Sequence, residues 1–85
     1  MPSVVYKTQP VYPQEAKDQK VQGEVTVAVL VGKDGSVEST SVIDGPELLQ
    51  QAAIDAVSQW RFRPGMKDGE PVQVKATISL NFRLI

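Results

Sequence analysis

The sequence contains neither cysteine nor histidine among its 85 residues. Disulfides, thiol nucleophiles, imidazole bases and nearly every structural zinc site are therefore excluded. An excess of charge of one sign is also missing, since 9 basic residues stand against 10 acidic ones and the formal net charge is −1. Because a nucleic-acid-binding domain normally carries a basic excess, this balance argues against that class.

Long hydrophobic stretches are absent as well. The longest uncharged apolar run, residues 25–31, is far shorter than the roughly 20 residues that a membrane-spanning helix needs. The first six residues lack the basic-then-apolar pattern of a signal peptide. We therefore expect the chain as given to be soluble, with any leader or membrane anchor of a longer parent outside it. Its length predicts one small domain, residues 1–85, in which residues 1–10 form an extended lead-in.

The last part of the chain, residues 72–84, shows an unbroken alternation of apolar and polar side chains. The apolar positions are Val72, Val74, Ala76, Ile78, Leu80, Phe82 and Leu84, and the polar ones are Gln73, Lys75, Thr77, Ser79, Asn81 and Arg83. A period of two places each set on one face of a β-strand. The pattern predicts a long final strand that extends beyond its neighbours and leaves backbone groups able to pair with a second polypeptide.

Two further strands are predicted earlier in the chain. Residues 24–31 are largely apolar on both faces, which is typical of a central strand. Residues 37–43 form a more polar partner, and Asp34-Gly35 between them suits a tight turn because both residues tolerate a positive φ. The second strand should therefore lie at an edge of the sheet.

Two helices are indicated by their starts and their periodicity. Tyr12-Pro13 precedes a short helix over residues 14–20. A longer helix has Asp44 or Gly45 as its cap, Pro46 as its first helical residue and an end near Trp60. Its apolar positions recur every three or four residues and are Leu48, Leu49, Ala52, Ala53, Ala56, Val57 and Trp60. Trp60 and Phe62 should be core residues, whereas packing and partner contact remain alternatives for Tyr12. Residues 66–71 should form a loop.

The fold predicted from these elements is α+β. A three-stranded antiparallel sheet has strand order 2-1-3, with a short N-terminal helix and one longer helix packed on one face. The longer helix supplies the right-handed crossover that leads to the third strand. The third strand is then an open edge, which also predicts a weak homodimer formed through it.

Catalysis is not expected, because the acidic residues have simpler explanations. They lie in a predicted turn, on an exposed strand, or within or next to the longer helix, and are Asp34, Glu38, Asp44, Glu47 and Asp55. A domain of this size also has little volume for a buried cleft. We expect no catalytic residues, no cofactor and no metal.

Several motifs together resemble the C-terminal domain of TonB energy transducers. They are Gln9-Pro10-Val11-Tyr12-Pro13, Gly23-Glu24-Val25, Asp34-Gly35, Ala52-Ala53 and Trp60-Arg61-Phe62-Arg63-Pro64. The resemblance covers nearly the whole chain. It implies a periplasmic domain whose full-length parent is anchored in the inner membrane, beside a proton-channel complex, and couples proton-motive force to import through outer-membrane transporters.

The resemblance also implies a binding mode. Such a domain grips an extended transporter segment, the TonB box, by adding it as a strand beside its own last strand. The implied partner-binding residues are Gln9, Pro10, Val11 and Tyr12 before the first helix, and Val74, Lys75, Ala76, Thr77, Ile78, Ser79, Leu80, Asn81 and Phe82 in the last strand. The alternative is that the same domain serves as an appendage or oligomerising module of another envelope sensor or peptidase.

Overall fold

The structure is a computed structural model that describes residues 4–84. The strands are β1 (Val4–Tyr6), β2 (Gly23–Val31), β3 (Val37–Asp44), β4 (Arg61–Phe62), β5 (Gly65–Lys67), β6 (Glu70–Val72) and β7 (Val74–Phe82), and the helices are α1 (Gln14–Asp18) and α2 (Glu47–Val57). The predicted α+β class is confirmed. Residues 1–3 of the predicted lead-in lie outside the described residues.

The main sheet has the predicted topology. Its order is β3-β2-β7, and β2 runs antiparallel to both neighbours. The inward-facing side chains of β2 are almost completely buried and are Val25, Val27, Val29 and Val31. This valine row forms the floor of the core because period-two alternation turns every second side chain toward the helices.

The final strand is shorter than predicted. Residues 23–31 of β2 pair one to one with residues 82–74 of β7, so β7 matches its neighbour in length and does not extend beyond it. Val72 belongs to β6, and Leu84 lies beyond the end of β7. Alternation fixes which way side chains point, but the length of a strand is set by the partner that pairs with it. The prediction of a single strand over residues 72–84 is therefore wrong.

Helix α2 packs on the sheet through its predicted apolar stripe, of which Leu49, Ala53, Ala56 and Val57 are buried. Its predicted ends need correction. Pro46 has ψ 134° and is the N-cap, because an extended ψ places it outside the first helical turn. The helix ends at Val57, and Trp60 comes after it. Helix α1 is also shorter than predicted, because Lys20 adopts a φ of 56° and Val21 donates its backbone N–H to Ala16 in a C-terminal cap.

Two small antiparallel pairs were not predicted. β1 pairs with β4, which converts part of the expected lead-in into a strand. β5 pairs with β6, so residues 66–71 form most of a hairpin and not a loop. Positive φ angles at Asp68 and Gly69 make its turn.

The core lies between the sheet and the helices, and the predicted core residues are confirmed. Trp60 and Phe62 are buried, at 7% and 5% exposure, with their ring centroids 6.2 Å apart. Across residues 4–84, neither helix has the length and apolar character needed to cross a membrane.

Candidate functional site

The outer edge of β7 presents a row of unpaired backbone groups. Among residues 4–84, β2 is the one strand that pairs with β7. Gly32 donates its backbone N–H to the carbonyl oxygen of Ser36, so its backbone groups are directed toward β3. Because backbone groups alternate in direction along a strand, those of the even-numbered residues of β2 are directed toward β3 and those of the odd-numbered residues toward β7. The even-numbered residues of β7 pair with them and direct their backbone groups toward β2. The outward-pointing residues of β7 are Lys75, Thr77, Ser79 and Asn81.

The side chains of β7 divide in the same alternation. Ile78, Leu80 and Phe82 are buried, and Val74 and Ala76 are half-buried. The four residues whose backbone points outward have exposed side chains. Although all nine residues of the strand were predicted to bind a partner, the side chains of Ile78 and Phe82 are buried in the core. The edge itself offers backbone N–H and C=O groups.

The lead-in is attached beside this edge by two hydrogen bonds. The indole Nε1 of Trp60 donates to the backbone carbonyl oxygen of Thr8 at 3.1 Å, and the Thr8 hydroxyl donates to the carbonyl oxygen of Ala56 at 3.0 Å. Both contacts bridge about fifty positions of sequence. They fix residues 7–10 near the end of β7 that follows Thr77.

A gap of about 200 Å³ separates the lead-in from the edge. Its lining residues come from both sides and are Lys7, Thr8, Gln9, Pro10, Trp60, Ser79, Leu80 and Asn81. The structure therefore brings together two groups that the sequence analysis named separately, Gln9 and Pro10 with Ser79 to Asn81. The first residues of β7 lie away from this gap, since Val74 is about 17 Å along the strand from Ser79.

Tyr12 and Val11 take different positions. The Tyr12 hydroxyl donates to the carbonyl oxygen of Val21, and its ring meets Phe82 edge-on at a centroid distance of 5.5 Å. Packing is thus the role that the structure gives Tyr12. Val11 is 81% exposed and lines a separate groove beside α2.

Sequence reasoning missed Lys7 and Thr8, and it assigned Trp60 to the core alone. One signal was present for Trp60, because a buried indole N–H needs an acceptor and the lead-in is the segment that supplies one. No signal was present for Thr8. Its carbonyl oxygen is a backbone group that any residue would offer.

The charged side chains on β7, its flanks and the lead-in are basic, namely Lys7, Lys75 and Arg83, and residues 4–13 and 73–84 contain no acidic residue. The paired strand β2 places one exposed carboxylate, Glu24, opposite Asn81. Asp34 lies just beyond the C-terminal end of β2, whereas the gap lies beside the N-terminal end of that strand. The Ser36 hydroxyl and backbone N–H both donate to the Asp34 carboxylate and lower its pKa. In the part of the chain that the structure describes, no group of three or more acidic side chains could hold a metal ion.

Comparison with known proteins settles the family. A family profile described as Gram-negative bacterial TonB protein C-terminal matches residues 8–84. The chain belongs to the TonB C-terminal domain family. It is 31% identical over 80 residues to protein TonB of Vibrio cholerae and 27% identical over 82 residues to protein TonB of Escherichia coli. These alignments take in 92% and 94% of this chain but 33% and 34% of the relatives, so the chain spans about a third of their length.

Solved structures agree with this TonB-type fold. The solution structure of the Pseudomonas aeruginosa TonB C-terminal domain superposes with a TM-score of 0.77 at 25% identity, over 98% of this chain and 86% of that one. The TonB2 protein from Vibrio anguillarum gives a TM-score of 0.69 at 26% identity, over 98% and 81% of the two chains.

Proposed function

We propose that this domain is the periplasmic binding module of a TonB-type energy transducer. It docks the TonB-box segment of an outer-membrane transporter as an added strand along the outer edge of β7. In the full-length parent, anchored in the inner membrane beside a proton-channel complex, this contact couples proton-motive force to import. The role is one of binding and force transmission, without a chemical step.

One observation carries the proposal. The edge of β7 ends at a gap whose other wall is formed by Gln9 and Pro10. An extended segment that pairs with Lys75, Thr77 and Ser79 would enter this gap and meet the lead-in. Family membership supports the same assignment, because the matched region includes both the lead-in from Thr8 and the whole of β7.

The chemistry of the edge suits strand addition. Backbone hydrogen bonds give the contact its affinity, and exposed side chains on either side select the partner. The lead-in limits how far the added strand can run, since it is fixed to Trp60 and Ala56 by the two hydrogen bonds of Thr8 and its carbonyl group. A short segment therefore fits better than a long one.

The test is a titration of the ¹⁵N-labelled domain with a synthetic TonB-box peptide, with a scrambled peptide of the same composition as control. The backbone amides of residues 75–81 should shift together with those of Gln9, Val11 and Tyr12. Shifts confined to the Asp34 hairpin or to α2, or none at micromolar to millimolar peptide, would contradict docking at this edge.

A pair of variants at one position separates backbone from side-chain effects. Thr77→Pro removes an outward N–H donor from the edge and keeps the buried side chains, so it should abolish binding. Thr77→Ala removes the side chain and keeps the donor, so binding should persist. Circular dichroism on both variants checks that the sheet is intact.

A further inference from the structure

A second concave surface lies on the outer side of α2, away from the edge of β7. It has a volume of about 490 Å³ and is defined here by Gln9, Val11, Leu48, Ala52, Asp55 and Gln59. We call it the α2 groove. The lead-in separates it from the gap at β7, because Thr8 and Gln9 line both.

The groove exists because α2 is apolar over a wider arc than the sheet covers. Leu49, Ala53 and Val57 are fully buried in the core, whereas Leu48 and Ala52 are half-buried and face the groove. The small side chain of Ala52 leaves the helix surface recessed beside the lead-in. Val11 is 81% exposed at the opposite wall. Leu48 and Ala52 also pack against the edge of the core, so the groove is formed by the part of their surface that the core leaves exposed.

The charge of the groove is opposite to that of the β7 edge. Asp55 is the one ionisable residue in its lining. The surrounding sequence reinforces this sign, since residues 42–60 contain Asp44, Glu47 and Asp55 and no lysine or arginine. Asp55 Oδ1 accepts a hydrogen bond from the Gln51 side chain at 2.8 Å. A carboxylate can accept several hydrogen bonds, so this contact leaves capacity for a cation.

We propose that the α2 groove binds a peptide segment that presents an apolar side chain next to a lysine or arginine, on a partner other than the one docked at β7. The apolar side chain lies against Leu48, Ala52 and Val11. The cationic group pairs with Asp55, and the amides of Gln9, Gln51 and Gln59 can bond the peptide backbone. A volume near 490 Å³ falls within the range of roughly 300–1,000 Å³ that ligand sites occupy.

Opposite charge is the reason for assigning different partners to the two surfaces. A segment attracted to Lys75 and Arg83 is repelled by Asp55, and the reverse holds for a cationic segment. The proposal does not depend on docking at β7, since it uses no residue of the strand.

The test uses two pentapeptides that differ only in the sign of one charge, acetyl-Ser-Leu-Lys-Leu-Ser-amide and the same peptide with glutamate in place of lysine. Each is titrated to millimolar concentration into the ¹⁵N-labelled domain. The lysine peptide should shift the amides of Gln51, Ala52 and Asp55 and that of Val11. The glutamate peptide should bind about two- to fivefold more weakly or worse, the range expected for loss of an exposed ion pair and its reversal.

Matched variants assign the effect to the groove. Asp55→Asn should remove most of the difference between the two peptides. Asp18→Asn is its control, because Asp18 accepts the same i to i+4 hydrogen bond from Gln14 at 2.9 Å and does not line the groove. Ala52→Leu should abolish binding by filling the recess, and Thr77→Pro should leave it unchanged.

Three results would overturn the proposal. Equal binding of both peptides would show that Asp55 does not select the cationic one. Absence of shifts at millimolar peptide would show that the groove does not bind such a segment. Shifts of the groove amides on simple dilution of the domain would assign the groove to a second copy of this chain. Failure of the TonB-box titration alone would leave the groove proposal standing, since the shifts expected at Gln51, Ala52 and Asp55 belong to the groove experiment alone.

Discussion

The indole Nε1 of Trp60 donates a hydrogen bond to the backbone carbonyl oxygen of Thr8 at 3.1 Å, across 52 positions of sequence. This contact gives Trp60 two roles, because its ring is part of the core while its N–H fixes the lead-in beside the edge of β7. Stability and the geometry of the proposed docking surface are thus linked through one side chain.

Trp60→Ala tests the first role. It should cost about 3–5 kcal/mol, a large share of the stability of so small a domain, and leave the variant mostly unfolded. Trp60→Phe retains a ring and removes the N–H donor, so it should remain folded while the backbone amide signals of Lys7, Thr8 and Gln9 shift. Urea denaturation measures the first effect, and ¹H–¹⁵N correlation spectra measure the second. A cooperative Trp60→Ala transition close to that of the parent would show that the side chain is not part of the core.

The second prediction compares the cost of alanine at two glycines that have similar φ angles. A Cβ at Gly35 (φ +86°) would lie 2.0 Å from the Phe62 carbonyl oxygen, whereas a Cβ at Gly69 (φ +81°) would meet nothing within 4 Å. Gly69→Ala should cost only the left-handed backbone strain, about 1–2 kcal/mol, and Gly35→Ala distinctly more. Thermal denaturation of the two variants makes the comparison. Equal losses would mean that the β2–β3 turn can move away from β4 without cost.

The sequence predicted those parts of the fold that depend on local alternation. The valine row of β2, the apolar positions of β7 and the stripe of α2 each fix a face, and together they fixed the strand order. The β1–β4 and β5–β6 pairs were missed because three-residue strands contain too few positions to show a period. The end of β7 was also missed, since it depends on where β2 stops and not on residues 72–84 themselves.

The residues of the candidate site were predicted from the sequence, but the way in which they come together was not. Gln9, Pro10 and the outward residues of β7 came from family resemblance and alternation. Their meeting at one gap depends on Thr8 and Trp60, whose hydrogen bond uses a backbone carbonyl that leaves no trace in the sequence. The groove beside α2 was not predicted, because half-buried Leu48 and Ala52 read as ordinary members of the core stripe.

The turn between β2 and β3 gives a pH-dependent prediction. Hydrogen bonds from the Ser36 hydroxyl and backbone N–H lower the pKa of Asp34 below its ordinary value of 3.8. The ionised carboxylate therefore stabilises the fold fully above that value, and this contribution is lost as the pH falls through the lowered pKa. Ser36→Ala should raise the pKa toward 3.8 while the backbone donor keeps it slightly lower. A carbonyl-carbon NMR titration of Asp34 measures the shift, and an unchanged pKa would show that the hydroxyl contributes nothing.

Self-association through β7 is the last prediction. Without a transporter segment, the edge can pair with the same edge of a second copy about a two-fold axis, which makes the contact antiparallel and self-complementary. Lys75 and Arg83 oppose close approach of two such edges, and the lead-in restricts access at Ser79 to Asn81. We therefore expect a weak, concentration-dependent dimer that tightens at high salt, as repulsion between the lysine and arginine side chains is screened.

Sedimentation equilibrium on three proteins tests it. The parent and Thr77→Ala should show the same monomer–dimer equilibrium, and Thr77→Pro should be monomeric because it lacks an outward N–H at the centre of the edge. Adding the TonB-box peptide to the parent should shift it to monomer, since peptide and second copy compete for one edge. A folded Thr77→Pro variant that still dimerises would place the contact elsewhere, and the exposed side chains of Val4, Val5 and Tyr6 on β1 would then be the surface to mutate.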